Sequence, residues 1–79
     1  MFFVYVLYSS KIDRYYVGHT CDLQSRLRRH NSGFVRWTSR GVPWMMVYTE
    51  SYSLRSEAVK REREIKAKKS RKYIESLIG

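Results

Sequence analysis

With 79 residues, 43% of them hydrophobic, the chain has room for one domain over residues 1–79 and apolar side chains enough for its core, which excludes a second module and global disorder. A lone cysteine, Cys21, excludes an internal disulfide or a cysteine-rich zinc cluster and fits a reducing, cytoplasmic setting. Sixteen Lys and Arg against seven Asp and Glu leave a net charge of +9, which favours a polyanionic partner such as nucleic acid, although a solubilising surface or a patch for anionic membranes would carry the same charge.

Residues 2–8 are rich in Phe, Val and Tyr, types that suit a pleated surface, and they predict a strand. The apolar opening lacks a basic leader region and a small-residue cleavage site, so it reads as a strand and not a signal peptide. No stretch approaches the roughly 18 to 20 apolar residues of a membrane span. A polar connection from Ser9 to Arg14 leads to a short second strand, Tyr15-Tyr16-Val17-Gly18, which closes a hairpin and sets Tyr5 and Tyr16 on neighbouring strands. Gly18 either gives backbone room at the strand end or merely punctuates it.

Thr20 or Asp22 can cap a helix running to about Asn31, with Asn31-Ser32-Gly33 as its stop. At about 100° per residue, Leu23 and Leu27 form its buried stripe, and Arg26 and His30 fall within about 60° of Leu23. Gln24, Ser25, Arg28 and Arg29 point elsewhere. Residues 32–43 follow neither regular period and predict a long basic loop with Phe34, Arg36, Trp37 and Arg40, closed by Pro43.

Trp44 to Glu50 predicts a third strand, with Trp44 in the core. Ser53 then caps a helix of about Leu54 to Lys68, with Leu54, Ala58 and Ile65 as its apolar stripe and Glu62 about 60° from its centre. Arg61, near that stripe, must snorkel or pair. A short last helix begins near Ser70, packing through Tyr73, Ile74, Leu77 and Ile78. The charge run from Lys66 to Lys72 is either a solvated helix junction or an edge that grips phosphates.

Cutting a phosphodiester requires a deprotonated water, charge stabilisation on the non-bridging oxygens and help for the leaving oxygen, often from a divalent ion. A tyrosinate, an arginine and a carboxylate cover these roles. Tyrosine titrates near 10 in water, so a tyrosine base needs cations that favour its anion. Each candidate also has a plainer reading: Tyr5 and Tyr16 as half-buried strand tyrosines, Arg26 and His30 as surface residues of a basic helix, Glu62 as a helix ion-pair partner of Lys66.

The ordered series lifts them above those readings. Val4-Tyr5-Val6, then Tyr16-Val17-Gly18-His19-Thr20, then Asp22-Leu23 with Arg26, Leu27 and His30, and finally Ala58, Glu62 and Lys66, together cover nearly the whole chain. In this series the sequence resembles the GIY-YIG nuclease superfamily, especially its small branch similar to the amino-terminal nuclease module of the excision-repair protein UvrC. The resemblance implies an α+β fold, a three-stranded antiparallel sheet flanked by two to three helices. It also implies a metal-dependent endonuclease acting on DNA, in repair or recombination, with Mg²⁺ or Mn²⁺ held by Glu62.

By the same resemblance Tyr5 and Tyr16 line the reacting phosphate, Tyr16 ahead of Tyr5 as the group that deprotonates water. Arg26 stabilises the developing charge, and His30 stands near the nucleophile. His19 takes a place where some relatives carry lysine. His19, Arg36, Trp37, Arg40, Lys66 and Lys69 are the expected nucleic-acid contacts, and a larger repair protein is an expected partner. The first motif reads Val-Tyr-Val, not Gly-Ile-Tyr, and Lys72-Tyr73-Ile74-Glu75 lacks the asparagine several family nucleases carry there. The alternative is a nucleic-acid binding module with little or no catalysis.

Overall fold

The opening apolar run forms β1, Phe2–Ser9, and turns back through four residues into β2, Arg14–Thr20. In the computed structural model, which describes residues 1–79, β1 and β2 pair antiparallel with Tyr5 opposite Gly18 and Leu7 opposite Tyr16. Asp13 closes the turn in the left-handed region, φ 53°, which Asp tolerates, and its carboxylate accepts a hydrogen bond from the Tyr8 hydroxyl at 2.7 Å. The second strand is longer than Tyr15-Tyr16-Val17-Gly18 because its pairing with β1 runs on to Thr20.

β3, Met45–Tyr52, pairs antiparallel with the other edge of β1, so the order is β2-β1-β3 and β1 is the central strand. Val6 faces Tyr48 and Leu7 faces Met46, which leaves Val47 as a bulged extra residue. A central strand covered on both sides explains why Val4, Tyr5, Val6 and Leu7 are all buried without alternation. Tyr5 is 1% exposed, deeper than the half-buried strand tyrosine of its plainer reading.

One face carries Val4, Val6 and Val17, packed under Ala58 and Ile65 of α2, Arg55–Ala67, and beside Tyr73, Ile74 and Leu77 of α3, Arg71–Ile78. The other carries Tyr5 and Leu7 with Trp44, covered by Leu23 and Leu27 of α1, Leu23–Asn31. Asp22 caps α1 by accepting from the Ser25 amide at 3.1 Å, and the Thr20 hydroxyl instead accepts from the Asp22 amide at 3.0 Å. Cys21 lies before this cap and is exposed.

Two expectations at the start of α2 are corrected. Its N-cap is Leu54, not Ser53, because the strand runs on to Tyr52; the Glu57 carboxylate accepts from the Leu54 amide at 3.1 Å in place of a side-chain cap. Leu54 is thereby on the surface and outside the apolar stripe. Arg61 resolves its position by pairing: its Nε and one terminal nitrogen donate to the two Glu50 oxygens at 2.9 and 3.2 Å, and the other donates to the Tyr73 hydroxyl at 3.0 Å. The Tyr48 and Tyr52 hydroxyls also donate to Glu50. At the far end Ser70 caps α3, and Arg71 ties that helix to the hairpin turn through Asp13.

The loop after α1 is more ordered than its lack of period suggests. It contains a short 3₁₀ turn, Ser39–Gly41, and a cis Val42-Pro43 bond. Asn31 anchors its end, accepting from the Trp44 amide at 2.6 Å and donating to the Trp44 carbonyl at 3.1 Å. No helix is long and apolar enough to cross a membrane.

Candidate active site

Strand alternation decides which groups meet at β2, the edge strand. Tyr16 and Gly18 face the α1 side with Tyr5, whereas Val17 packs on the α2 side and His19 there meets Glu62. Gly18 is needed for close approach: a Cβ at that position would come within 2.5 Å of the Tyr5 hydroxyl oxygen. The missing side chain lets the Tyr5 phenol lie directly over the β2 backbone.

Around that phenol the tyrosines and His30 form an aromatic cluster. Ring centroids are 6.4 Å apart for Tyr5 and Tyr16, 4.8 Å for Tyr16 and His30, and 6.5 Å for Tyr16 and Trp44. Tyr5 Oη and His30 Nε2 are hydrogen-bonded at 3.0 Å, and His30 Nδ1 and Thr38 Oγ1 at 2.9 Å. Burial, seconded by the charge of Tyr16, pushes the Tyr5 phenol up to about 12 against the opposing pull of Arg26, and Glu62 adds to the rise. Burial likewise lowers His30 below its ordinary value, and the Arg26 and Arg29 charges lower it further.

Glu62 reaches this cluster from the opposite layer. Its helix packs on the Val17 face, but the carboxylate stands at the β2 edge, where one oxygen is 2.5 Å from His19 Nδ1 and the other accepts from Lys66 Nζ at 2.6 Å. The Lys66 ammonium in turn lies 5.9 Å from the Tyr16 ring centroid. Burial alone would raise the Glu62 carboxyl; the hydrogen bonds from Lys66 and His19 outweigh it and hold the group below its usual value, ionised at neutral pH. Glu62 therefore adjoins the tyrosine cluster around the β2 edge, not across one open face.

Of the expected nucleic-acid contacts, His19 and Lys66 are engaged with Glu62. Arg36, Trp37 and Arg40 are exposed, Trp37 by 82%. Trp37, Arg40 and Arg14 line a groove on one side of Tyr16, while Lys66, Lys69 and Arg71 line another between β2 and the α2–α3 junction. Tyr16 forms part of both walls. Two features escaped the sequence reading: Thr38, whose burial inside a basic loop carries no periodic signal, and Glu50, whose partners are 11 residues away in Arg61 and two away in Tyr48 and Tyr52.

No group of three or more His, Cys, Asp or Glu is assembled to hold an ion. Glu62 nevertheless suits one divalent cation of the hard, oxygen-seeking kind, since Mg²⁺ commonly takes one or two carboxylates and completes its shell with water and substrate phosphate.

Comparison with known proteins places the chain in a family. The family model described as the GIY-YIG catalytic domain matches residues 1–74. A UPF0213 protein of Halobacterium salinarum is 40% identical over 67 residues, covering 84% of this chain and 86% of the relative. A UPF0213 protein of Staphylococcus haemolyticus is 37% identical over 65 residues, with 81% and 78% covered, and one of Haloquadratum walsbyi is 36% identical over 66, with 82% and 73% covered. No solved structure gives a significant match.

Proposed function

The chain belongs to the GIY-YIG family, whose catalytic domain implies nuclease-type activity, and from that premise we propose that it is a divalent-metal-dependent endonuclease that hydrolyses DNA. One observation carries the reading: an ionised carboxylate, Glu62, stands at the edge strand beside two tyrosines that share a face with Arg26. GIY-YIG nucleases generally use divalent metals, and here Glu62 would hold Mg²⁺ or Mn²⁺, which supplies positive charge to the phosphate and the leaving oxygen.

The chain's own groups do the rest. Tyr16, half-buried between the two grooves with the Lys66 ammonium 5.9 Å from its ring, takes the proton of the attacking water in its tyrosinate form, its own proton having first passed to solvent. Arg26 neutralises the non-bridging oxygens through its guanidinium as negative charge builds on them. The Tyr5 hydroxyl, fixed by His30, bounds the phosphate on the buried side. A strand laid across Tyr16 would meet Trp37 and Arg40 in one direction and Lys66 and Lys69 in the other, which suits base stacking and backbone charge respectively. We place its role in DNA repair or recombination, where a structured substrate or a larger repair protein selects the cleavage point.

Labelled single-stranded, duplex and branched DNA, with RNA as a control, tests this directly. We expect cleavage with Mg²⁺ or Mn²⁺ that chelator, Arg26→Ala or Glu62→Ala abolishes while the fold survives. Failure to cut any substrate with either ion would overturn it. The non-catalytic reading has one observation in its favour, that both Glu62 oxygens already have partners in His19 and Lys66. Steeply salt-dependent binding without cleavage is its signature.

A further inference from the structure

Thr38 is a buried polar residue that the reaction above leaves without a purpose. Its neighbours Arg36, Trp37, Ser39 and Arg40 are exposed, yet Thr38 is 0% exposed. Its carbonyl accepts from the Trp44 indole at 2.7 Å, its hydroxyl donates to the Val35 carbonyl at 3.4 Å, and the same oxygen lies 2.9 Å from His30 Nδ1. The loop is thus pinned so that one hydroxyl stands behind the histidine that touches Tyr5.

We propose that Thr38 is a positioning residue of the site: it holds His30 as the Nδ1–H tautomer, so that Nε2 accepts the Tyr5 proton and the phenol's lone pairs are left facing Arg26. The consequence for catalysis rests on the nuclease reading; the tautomer does not. A hydroxyl has one proton and two lone pairs. With its proton on Val35, Thr38 can only accept from His30, and a neutral ring protonated at Nδ1 presents a bare Nε2.

The opposite tautomer leaves a proton stranded. Were Nε2 to carry the hydrogen, Tyr5 would have to turn its own proton outwards, where it makes no other hydrogen bond and the Arg26 guanidinium offers only donors. His30 is faced by Tyr5 from β1, Tyr16 from β2, Arg26 and Arg29 from its own helix and Thr38 from the loop, with no carboxylate hydrogen-bonded to its ring. The ring therefore stays neutral, and the hydrogen bond to Thr38 selects its form.

The chain contains only two histidines, so long-range ¹H–¹⁵N spectra of the imidazoles read this state directly. We expect a protonated Nδ1 and a bare Nε2 at His30 in the wild-type protein at neutral pH, a mixed or inverted pattern in Thr38→Val, and the wild-type pattern in Thr38→Ser. In cleavage assays kcat should fall about tenfold or more in Thr38→Val, recover in Thr38→Ser, and leave KM within about twofold. An Nε2–H ring in the wild type, or an unchanged spectrum in Thr38→Val, overturns the proposal. Absence of cleavage by the wild type would instead remove the nuclease reading and leave the spectrum to decide the tautomer.

Discussion

Glu50 and Glu62 are chemically the same group at the same exposure, and their partners separate a strut from the carboxylate proposed to hold the metal. Both side chains are 17% exposed, and both carboxyls are held below their usual value. Exposure and ionisation therefore do not distinguish them. Glu50 accepts four hydrogen bonds, two from one Arg61 guanidinium and one each from Tyr48 and Tyr52, and the fork geometry locks α2 onto β3. Glu62 accepts from a lysine on a flexible stem and from a histidine, at an edge strand bordered by grooves. A carboxylate whose lone pairs are filled by rigid partners is structural; one with replaceable partners beside a groove can bind an ion.

Substitution should split the two. Glu62→Gln is expected to lower cleavage by at least about 10²-fold and leave the melting temperature near wild type, as read by single-turnover assay and calorimetry. Glu50→Gln is expected to do the reverse, costing about 3 kcal/mol in urea unfolding because Arg61 is left half-buried without its counter-charge, while the folded protein still cuts. Gly18→Ala should push the Tyr5 ring out of place, costing about 1–3 kcal/mol and most of the activity, since the new methyl would meet the phenol oxygen at 2.5 Å.

Acid provides a subtler comparison. Unfolded histidine titrates near 6.5 and buried His30 lower, so the unfolded chain takes up that proton first. His30's contribution is fully present above about pH 6.5 and is lost as the pH falls, before the carboxylates of Glu50 and Glu62 begin to lose theirs below about 4.5. Urea midpoints followed downward from neutral pH should fall in these two stages, the first missing in a His30→Phe variant. The smallest effect belongs to the surface: Arg40→Ala should reduce the slope of log affinity against log salt by about one and leave stability unchanged.

Much of this was legible in the sequence because it depends on short-range pattern. The hairpin followed from two β-rich runs, and α1 from its spacing, which also set Arg26 and His30 against the body and left Gln24, Ser25, Arg28 and Arg29 exposed. The juxtaposition of Tyr5 with Tyr16 followed from strand pairing. Glu62's route around the β2 edge was not legible, because α2 packs on the face opposite the tyrosines and only the three-dimensional edge brings them near. Thr38 and Glu50 were hidden for a related reason: the partners that give each its role, His30 and Trp44 for Thr38 and Arg61 for Glu50, lie outside its own segment. The start of α2 was misplaced by one residue because β3 runs on to Tyr52, and the Leu54 amide is then met by Glu57, three positions on.

Manganese bound in the presence of a DNA strand, followed by electron paramagnetic resonance, tests the assignment of Glu62 most directly. The wild-type protein and Glu50→Gln should bind the ion alike, and Glu62→Gln should lose it. Equal binding by Glu62→Gln, or none by the wild type, would contradict the assignment of this carboxylate as the metal ligand of a hydrolytic site.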